Sequence, residues 1–317
     1  MFIKIILLIV GFILLIKGAD VLVDGASSSA QNFGVSKMLI GLTIVAFGTS
    51  APEFAVSIKA ISSGSTDMVL GNVFGSNILN ILLILGIAAV IRPIMIKDNT
   101  IKKELPLCLL ISSLLVVLFL DVRLAKDTVN QITRQDAIVI LLFFMVFIHY
   151  LATLAKQRRE KNDDEGPKYK LGTALFMILI GLGGIILGSD MVVNNASGIA
   201  RILGLSDRVI SLTIIAFGTS LPELVTTIVS SKKGEQELLL GNIIGSNIFN
   251  ACMVLGVPVA LFGTITPIGF NNIDLFALVF SALLLFIFAT TKRKMSTFEG
   301  IIMLIFFAIY YTLVFII

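Results

Sequence analysis

The sequence predicts an all-α polytopic membrane protein of about ten transmembrane helices, arranged as two inverted five-helix repeats. Three observations carry that prediction. Of 317 residues, 57% are hydrophobic and only 14% charged, with a mean hydropathy of +1.03; a soluble domain holds about 25% charged residues. About ten apolar runs approach the ~20 residues that a helix needs to cross a bilayer, whereas a membrane β-barrel would show weak alternation. Finally, a twelve-residue stretch occurs twice, LTIVAFGTSAPE at 42–53 and LTIIAFGTSLPE at 212–223, 170 residues apart with ten positions identical.

Run one covers about 2–23. It opens with Lys4 as its early basic residue and has no small-residue cleavage site, so it reads as a retained helix rather than a signal peptide. A polar stretch, DGASSSAQNFG, follows and ends at Gly34. Run two, about 37–60, holds the first signature, and run three, about 67–91, holds LGNVFGSNILN at 70–80. Runs four and five, about 104–120 and 136–155, are almost wholly aliphatic and aromatic and read as lipid-facing scaffold. The connector KQRREKNDDEGPKYK at 156–170 is a mixed charge run, read as a solvated linker. It separates a first five-helix repeat, 1–155, from a second, 171–317.

Run six, about 171–193, echoes run one: IKGADVLVDGAS around Asp20 matches ILGSDMVVNNAS around Asp190. Run seven carries the second signature. Run eight carries LGNIIGSNIFN at 240–250, identical to 70–80 at eight of eleven positions. Runs nine and ten, about 272–291 and 298–317, are plain and apolar. Because five is odd, the two halves enter the membrane from opposite faces, a layout that places a site near the midplane.

Basic residues set the expected orientation. Sixteen Lys and Arg fall on the face that includes the connector, and seven on the face that holds both termini. The connector is therefore expected in the cytoplasm and both termini outside the cell (plasma) membrane. The net charge of +4 and pI near 9.0 need no nucleic acid to explain them. Cys108 and Cys252 lie in apolar runs and imply neither a disulfide framework nor a metal site; His149, the single histidine, reads as structural.

The chemistry sits in the two signatures. A carboxylate near a bilayer centre costs roughly 2.5–3.5 kcal/mol even on lenient scales, so it is rarely there without a task. Glu53 and Glu223 are two such groups. Pro52 lacks an N–H and its ring collides with the carbonyl of Gly48, so the helix is expected to open, leaving carbonyls near 46–49 without helical partners. Thr49 and Glu53, four apart, share a face; Thr219 and Glu223 repeat the arrangement. Asn72, Ser76 and Asn80 form a stripe on the next helix, repeated by Asn242, Ser246 and Asn250. Gly71, Gly75, Gly241 and Gly245 make a small-residue pattern suited to close helix contact, which would bring Ser76 and Asn80 to Glu53. Every donor is an oxygen, a set that suits hard cations such as Ca²⁺. Asp20 and Asp190 read as structural partners, for a backbone group or for Lys17, rather than ligands.

With these residues in view, the paired GTSxPE and GNxxGSNxxN segments resemble the signature repeats of the sodium/calcium exchanger family, within the cation/calcium antiporter superfamily. The resemblance spans the whole chain and is nearest to compact prokaryotic members. It implies ten helices, alternating access, and Na⁺ ions competing with one Ca²⁺ at a shared set of sites, with no resident cofactor and a protein functional as a monomer. By motif position, Glu53 and Glu223 would be the shared carboxylates, and the carbonyls of Thr49 and Thr219 would complete the Ca²⁺ site. Ala46, Ser50 and Ser76 would serve one outer Na⁺ site and Ala216, Ser220 and Ser246 the other, with Asn80 and Asn250 bordering the middle position. Some relatives have Asp where this chain has Asn250, which leaves two carboxylates here rather than three and makes K⁺ dependence less expected.

The near alternative is a proton-coupled or K⁺-dependent Ca²⁺ antiporter; proton-coupled relatives typically carry an extra Glu in the GN segment, and neither copy here does. An intramembrane hydrolase using Ser50 or Ser220 would need a base within about 3 Å, and neither signature contains His or Lys. A passive channel fits the Pro-broken repeats less well than a rocking carrier.

Overall fold

Glycine decides how the two longest helices meet. In the computed structural model, which describes residues 1–124, 129–156, 166–204, 216–267 and 272–316, Phe2–Phe33 and Leu171–Ile202 are each 32 residues long. They run antiparallel with glycines at their contacts: Gly11 faces Gly188, Gly18 faces Gly181 and Gly184, and Gly25 faces Ala174. A Cβ on Gly18 would stand 2.8 Å from the backbone nitrogen of Ile185 and 2.9 Å from the carbonyl of Gly181. Backbones this close gain dispersion contacts along their length, which is how helices associate where lipid removes the hydrophobic drive. Leu15, Leu22, Val23, Ile178 and Ile185 fill the space around them.

These helices anchor the first of two compact units, Met1–Pro52 with Ala155–Asn242; the second comprises Glu53–Leu154 with Ile243–Ile317. Each unit draws on both sequence repeats, so the repeats at 1–155 and 171–317 are not themselves the compact units. In the first unit, Lys37–Ile40 starts from a Ser36 cap, its hydroxyl accepting from the Leu39 N–H, and leads through a π-helical turn, Gly41–Val45, into Ala46–Thr49. The second signature supplies Ala216–Thr219 and Leu221–Lys233; the latter sets Leu221, Val225 and Val229 on the core and ends at Gly234 with φ 75. Gly41 and Gly241 touch, a Cβ on Gly241 falling 2.6 Å from the Met38 carbonyl. The small-residue reading thus holds at Gly241 but not at Gly75, whose added Cβ would meet nothing within 4 Å.

Both signatures break at the same residue. Ser50 (φ −86, ψ 6) and Ser220 (φ −89, ψ 6) interrupt the helix two positions before Pro52 and Pro222, and the first break bends its helix by 44°. The opening is narrower than the sequence suggests. The Ala46 carbonyl, expected to lack a helical partner, accepts from the Ser50 N–H at 3.0 Å.

The second unit holds Thr66–Ile78, Gly86–Ile91, Leu105–Leu118, most of Arg134–Lys156, Gly256–Phe262, Asn272–Lys292 and Thr297–Ile316. Strands Ile94–Met95 and Lys294–Met295 pair antiparallel, Ile94 opposite Met295. Π-helical turns occur at Leu79–Leu85 and at Asn250–Val254, so Asn80 and Asn250 both sit where the helical register slips. Runs four, nine and ten are not plain. Glu104, 2% exposed, accepts the Tyr150 hydroxyl, and Asp274 accepts that of Tyr310 at 3.0 Å. A few turns of scaffold therefore carry buried carboxylates at repeat-related positions.

Among the described residues, seven helices are long and apolar enough to cross a membrane, and the bent pair Lys37–Thr49 and Ala51–Ser62 makes an eighth. Of the ten spans expected, the other two correspond to 100–118, a π turn running into a helix, and 216–233, whose approach lies outside the described residues. Also outside them are 157–165 of the connector, 212–215 of the second signature, and Lys126, Arg158, Arg159, Lys161 and Arg208 of the orientation count. The spans carrying the GN segments are 72% and 83% buried, against 28% for Phe2–Phe33, Arg134–Lys156 and Leu171–Ile202 and 11% for Thr297–Val314. The spans carrying the GN segments are interior, Asn272–Lys292 is half buried at 50%, and the remaining apolar spans face mainly outward.

Gly18→Val drives a branched side chain into backbone and is expected to destabilise by about 1–3 kcal/mol, read as a lower thermal midpoint in detergent. Gly75→Ala, with open space and ordinary helical geometry, is expected to leave that midpoint unchanged or slightly raised.

Candidate functional site

In the first unit, the two signatures meet. The Ser50 hydroxyl donates to Glu223 Oε1 at 2.9 Å, a bond between residues 173 apart in sequence. Glu223 is 0% exposed and Ser50 and Thr49 are equally buried. The helix breaks make this possible: each ends a short helix at a Thr, turns at the Ser, and starts the next helix with its Glu in the first turn. A carboxylate in a first helical turn faces free N–H groups and the positive end of the helix dipole, which offset part of its desolvation.

Thr49 sits one residue before the break. Its hydroxyl lies 3.1 Å from Asn242 Oδ1 and 3.3 Å from the Ala46 carbonyl, with one proton to share between them. Asn242 therefore fixes the threonine through its side chain. Ser189 Oγ donates to the Gly218 carbonyl at 2.8 Å, and Gly218 has no room for a side chain because Val193 packs onto it. Ser220 is buried and Thr219 half-buried; Ala216 begins the short helix that leads to them.

In the second unit, Glu53 is 1% exposed. Asn72 Nδ2 donates to the Glu53 carbonyl at 2.9 Å and to Ser57 Oγ at 3.0 Å, so this amide is a bridge between helices. Ser76, Ser246, Asn80 and Asn250 are all buried. Two asparagines absent from the expected set tie the GN segments together. Asn77 Nδ2 donates to the Asn247 carbonyl at 3.2 Å, and Asn247 Nδ2 returns the bond to the Asn77 carbonyl at 3.3 Å. Asn247 Oδ1 also accepts from Asn80 Nδ2 at 3.0 Å, which fixes the Asn80 amide and leaves its oxygen, Oδ1, available. Neither amide atom of Asn250 has a hydrogen-bond partner among the described residues, and its side chain is 0% exposed.

Their signal in the sequence is the GSN repeated in both copies, at 75–77 and 245–247, one position off the i, i+4 stripe. Asp20 is a structural partner, but of Lys233 at 2.7 Å rather than of Lys17. Asp190 is exposed. Among the described residues no three His, Cys, Asp or Glu side chains cluster. A cation held here would therefore meet one or two carboxylates with hydroxyls, amides and carbonyls, a hard-oxygen environment.

A protein-family model described as "Sodium/calcium exchanger protein" matches residues 3–153 and 173–316. The chain is 35% identical to inner membrane protein YrbG of Escherichia coli over 282 residues, covering 86% of this chain and 84% of that one. It is 30% identical to sodium/calcium exchanger MaX1 of Methanosarcina acetivorans over 323 residues, covering 90% and 91%. Among solved structures, the sodium-calcium exchanger NCX_Mj in Na⁺ and Sr²⁺ superimposes with a TM-score of 0.85 at 32% identity, covering 99% of this chain and 98% of that one.

Asn247→Leu removes one donor and one acceptor from the asparagine clasp and strands the Asn80 amide. Leaving a buried polar group unpaired costs about 1–3 kcal/mol, so the variant is expected to keep its helical circular dichroism while losing several degrees of thermal stability.

Proposed function

This chain belongs to the sodium/calcium exchanger family, and on that premise we propose that it is a secondary antiporter exchanging Na⁺ for Ca²⁺ by alternating access. The exchanger class is a transporter class, and the chain is a multi-pass membrane protein. The observation that carries the reading is the Ser50–Glu223 hydrogen bond, which joins the two signatures around a fully buried carboxylate.

The proposed ligands of Ca²⁺ are the carboxylates of Glu53 and Glu223 with the carbonyls of Thr49 and Thr219. Two ionised carboxylates offset the charge of one Ca²⁺, and the same pair can be shared with Na⁺. Ser50 suits a double role: its proton goes to Glu223 while its lone pairs remain free for a cation. On this assignment Ala46, Ser50 and Ser76 serve one Na⁺ position, and Ala216, Ser220 and Ser246 the other. Asn80 and Asn250 border the middle, where an amide stands in place of a third carboxylate.

The proposed cycle follows from electrostatics. On this assignment the empty pair of carboxylates would repel, and helix dipoles with the Ser50 hydroxyl compensate it only in part, so the empty protein is ill suited to switching sides. Loading with either ion removes that penalty, and exchange results rather than uniport. The proposed orientation has the connector in the cytoplasm and both termini outside, by the excess of Lys and Arg on the connector's face.

Proteoliposomes test the reading. Ca²⁺ uptake is expected to follow an outward Na⁺ gradient, to proceed without K⁺, and to fail with an outward proton gradient alone. Glu223→Gln, which preserves shape and the Ser50 bond, is expected to reduce uptake at least a hundredfold. Uptake driven by protons, or normal exchange by Glu223→Gln, would contradict the proposal.

A further inference from the structure

Leu221–Lys233 has two unlike faces. One carries Leu221, Val225 and Val229 onto the core of its unit. The other carries Glu223, Thr226, Thr227 and Ser230, each 0% exposed. The hydroxyls of Thr226, Thr227 and Ser230 have no hydrogen-bond partner among the described residues. Elsewhere among the described residues only the single buried hydroxyls of Ser29 and Ser197 share that state. Thr43, Ser113, Thr153, Thr291 and Thr312 each donate to the carbonyl four residues back, at 2.6 to 3.0 Å, the ordinary resort of a helical hydroxyl in an apolar setting. The three on this helix forgo that bond although they are fully buried.

The pattern is also one-sided. One repeat length earlier, the corresponding positions are Val56, Ser57 and Ala60, and Ser57 is engaged by Asn72. Repeat symmetry would call for hydroxyls at both places if they belonged to the ligand set, so these three serve something that only one half needs. Their spacing follows the helix: Thr226 and Thr227 lie three and four residues past Glu223, Ser230 three past Thr227 and Lys233 three past Ser230, each about 4.5–6 Å of rise. From Glu223 to Lys233 the helix climbs about 15 Å, half the ~30 Å hydrocarbon core of a bilayer. At its end, Lys233 pairs with Asp20 at 2.7 Å and Asp24 at 2.6 Å, and Lys168 also pairs with Asp24. The helix thus links a buried carboxylate to a charged, partly exposed surface by a ladder of unengaged hydroxyls.

We propose that Thr226, Thr227 and Ser230 form a one-sided access file, along which a hard cation with part of its water shell passes between Glu223 and the membrane face at Lys233. Hydroxyl oxygens replace water ligands at each step without holding the ion as a carboxylate would. The opposite half of the cycle has no such ladder on its matching helix. This inference rests on the exchange reading for the identity of the ion.

The test uses the full chain in proteoliposomes. The triple variant Thr226→Val, Thr227→Val, Ser230→Ala keeps side-chain volume but removes the hydroxyls. It is expected to slow Ca²⁺ exchange at least tenfold, while equilibrium Ca²⁺ affinity of the purified protein stays within twofold of wild type. Thr226→Ser with Thr227→Ser, which restores hydroxyls, is expected to exchange at the wild-type rate. Ser230→Cys is expected to react with a membrane-impermeant methanethiosulfonate from the same face as Lys232→Cys and not from the other; native Cys108 and Cys252 are buried. Wild-type exchange by the triple variant, a parallel loss of equilibrium affinity, or labelling of Ser230→Cys from the opposite face or from neither would overturn the file. If wild-type protein itself exchanges no Ca²⁺, the exchange reading fails, and the labelling result alone decides the file.

Discussion

A fully buried carboxylate is the constraint on which the rest of this structure turns. Glu223 and Glu53 are both almost without exposure, and an isolated charge in such surroundings costs far more than a domain's net stability unless something compensates it. The chain supplies compensation in layers. Each glutamate stands in the first turn of a helix that begins directly after a break, where backbone N–H groups and the helix dipole favour an anion. Ser50 adds a direct hydroxyl donor to Glu223. None of these is a full positive charge, so the proposed role of the carboxylates is to take a cation and give it up.

The breaks themselves depend on small residues and on proline. Ser50 and Ser220 adopt nearly identical backbone angles, because Pro52 and Pro222 impose the same defect at the same distance. Glycines do the complementary work of bringing backbones together, at Gly18 with Gly181 and at Gly41 with Gly241. A helix interface made of backbone tolerates no added carbon, but it also has few interlocking side chains.

Much of this was legible in the sequence, for physical reasons that can be named. Paired GTSxPE segments stood out because a Glu, a Pro and two hydroxyls are costly inside an apolar run, and cost repeated at a fixed interval implies purpose. The break at Ser50 followed from the missing proline N–H. What escaped was pairing between distant residues. The mutual hydrogen bonds of Asn77 and Asn247, the Tyr150 bond to Glu104, and the Lys233 pairs with Asp20 and Asp24 join positions that no local period relates. The π turns at Asn80 and Asn250 were equally hidden, because one extra residue in a turn leaves no mark on hydrophobicity. The Ala46 carbonyl shows the limit of a local rule: proline disrupted the helix, but the preceding Ser50 N–H still reached that oxygen.

The central claim is that these two glutamates hold the exchanged ion. Calorimetric titration of Ca²⁺ into the purified protein tests it most directly, with wild type compared against Glu53→Gln and Glu223→Gln, each checked for an unchanged thermal midpoint. The account predicts one saturable Ca²⁺ site in the wild type, weakened by added Na⁺, and no measurable heat of binding in either variant. Wild-type Ca²⁺ affinity in either folded variant would contradict it.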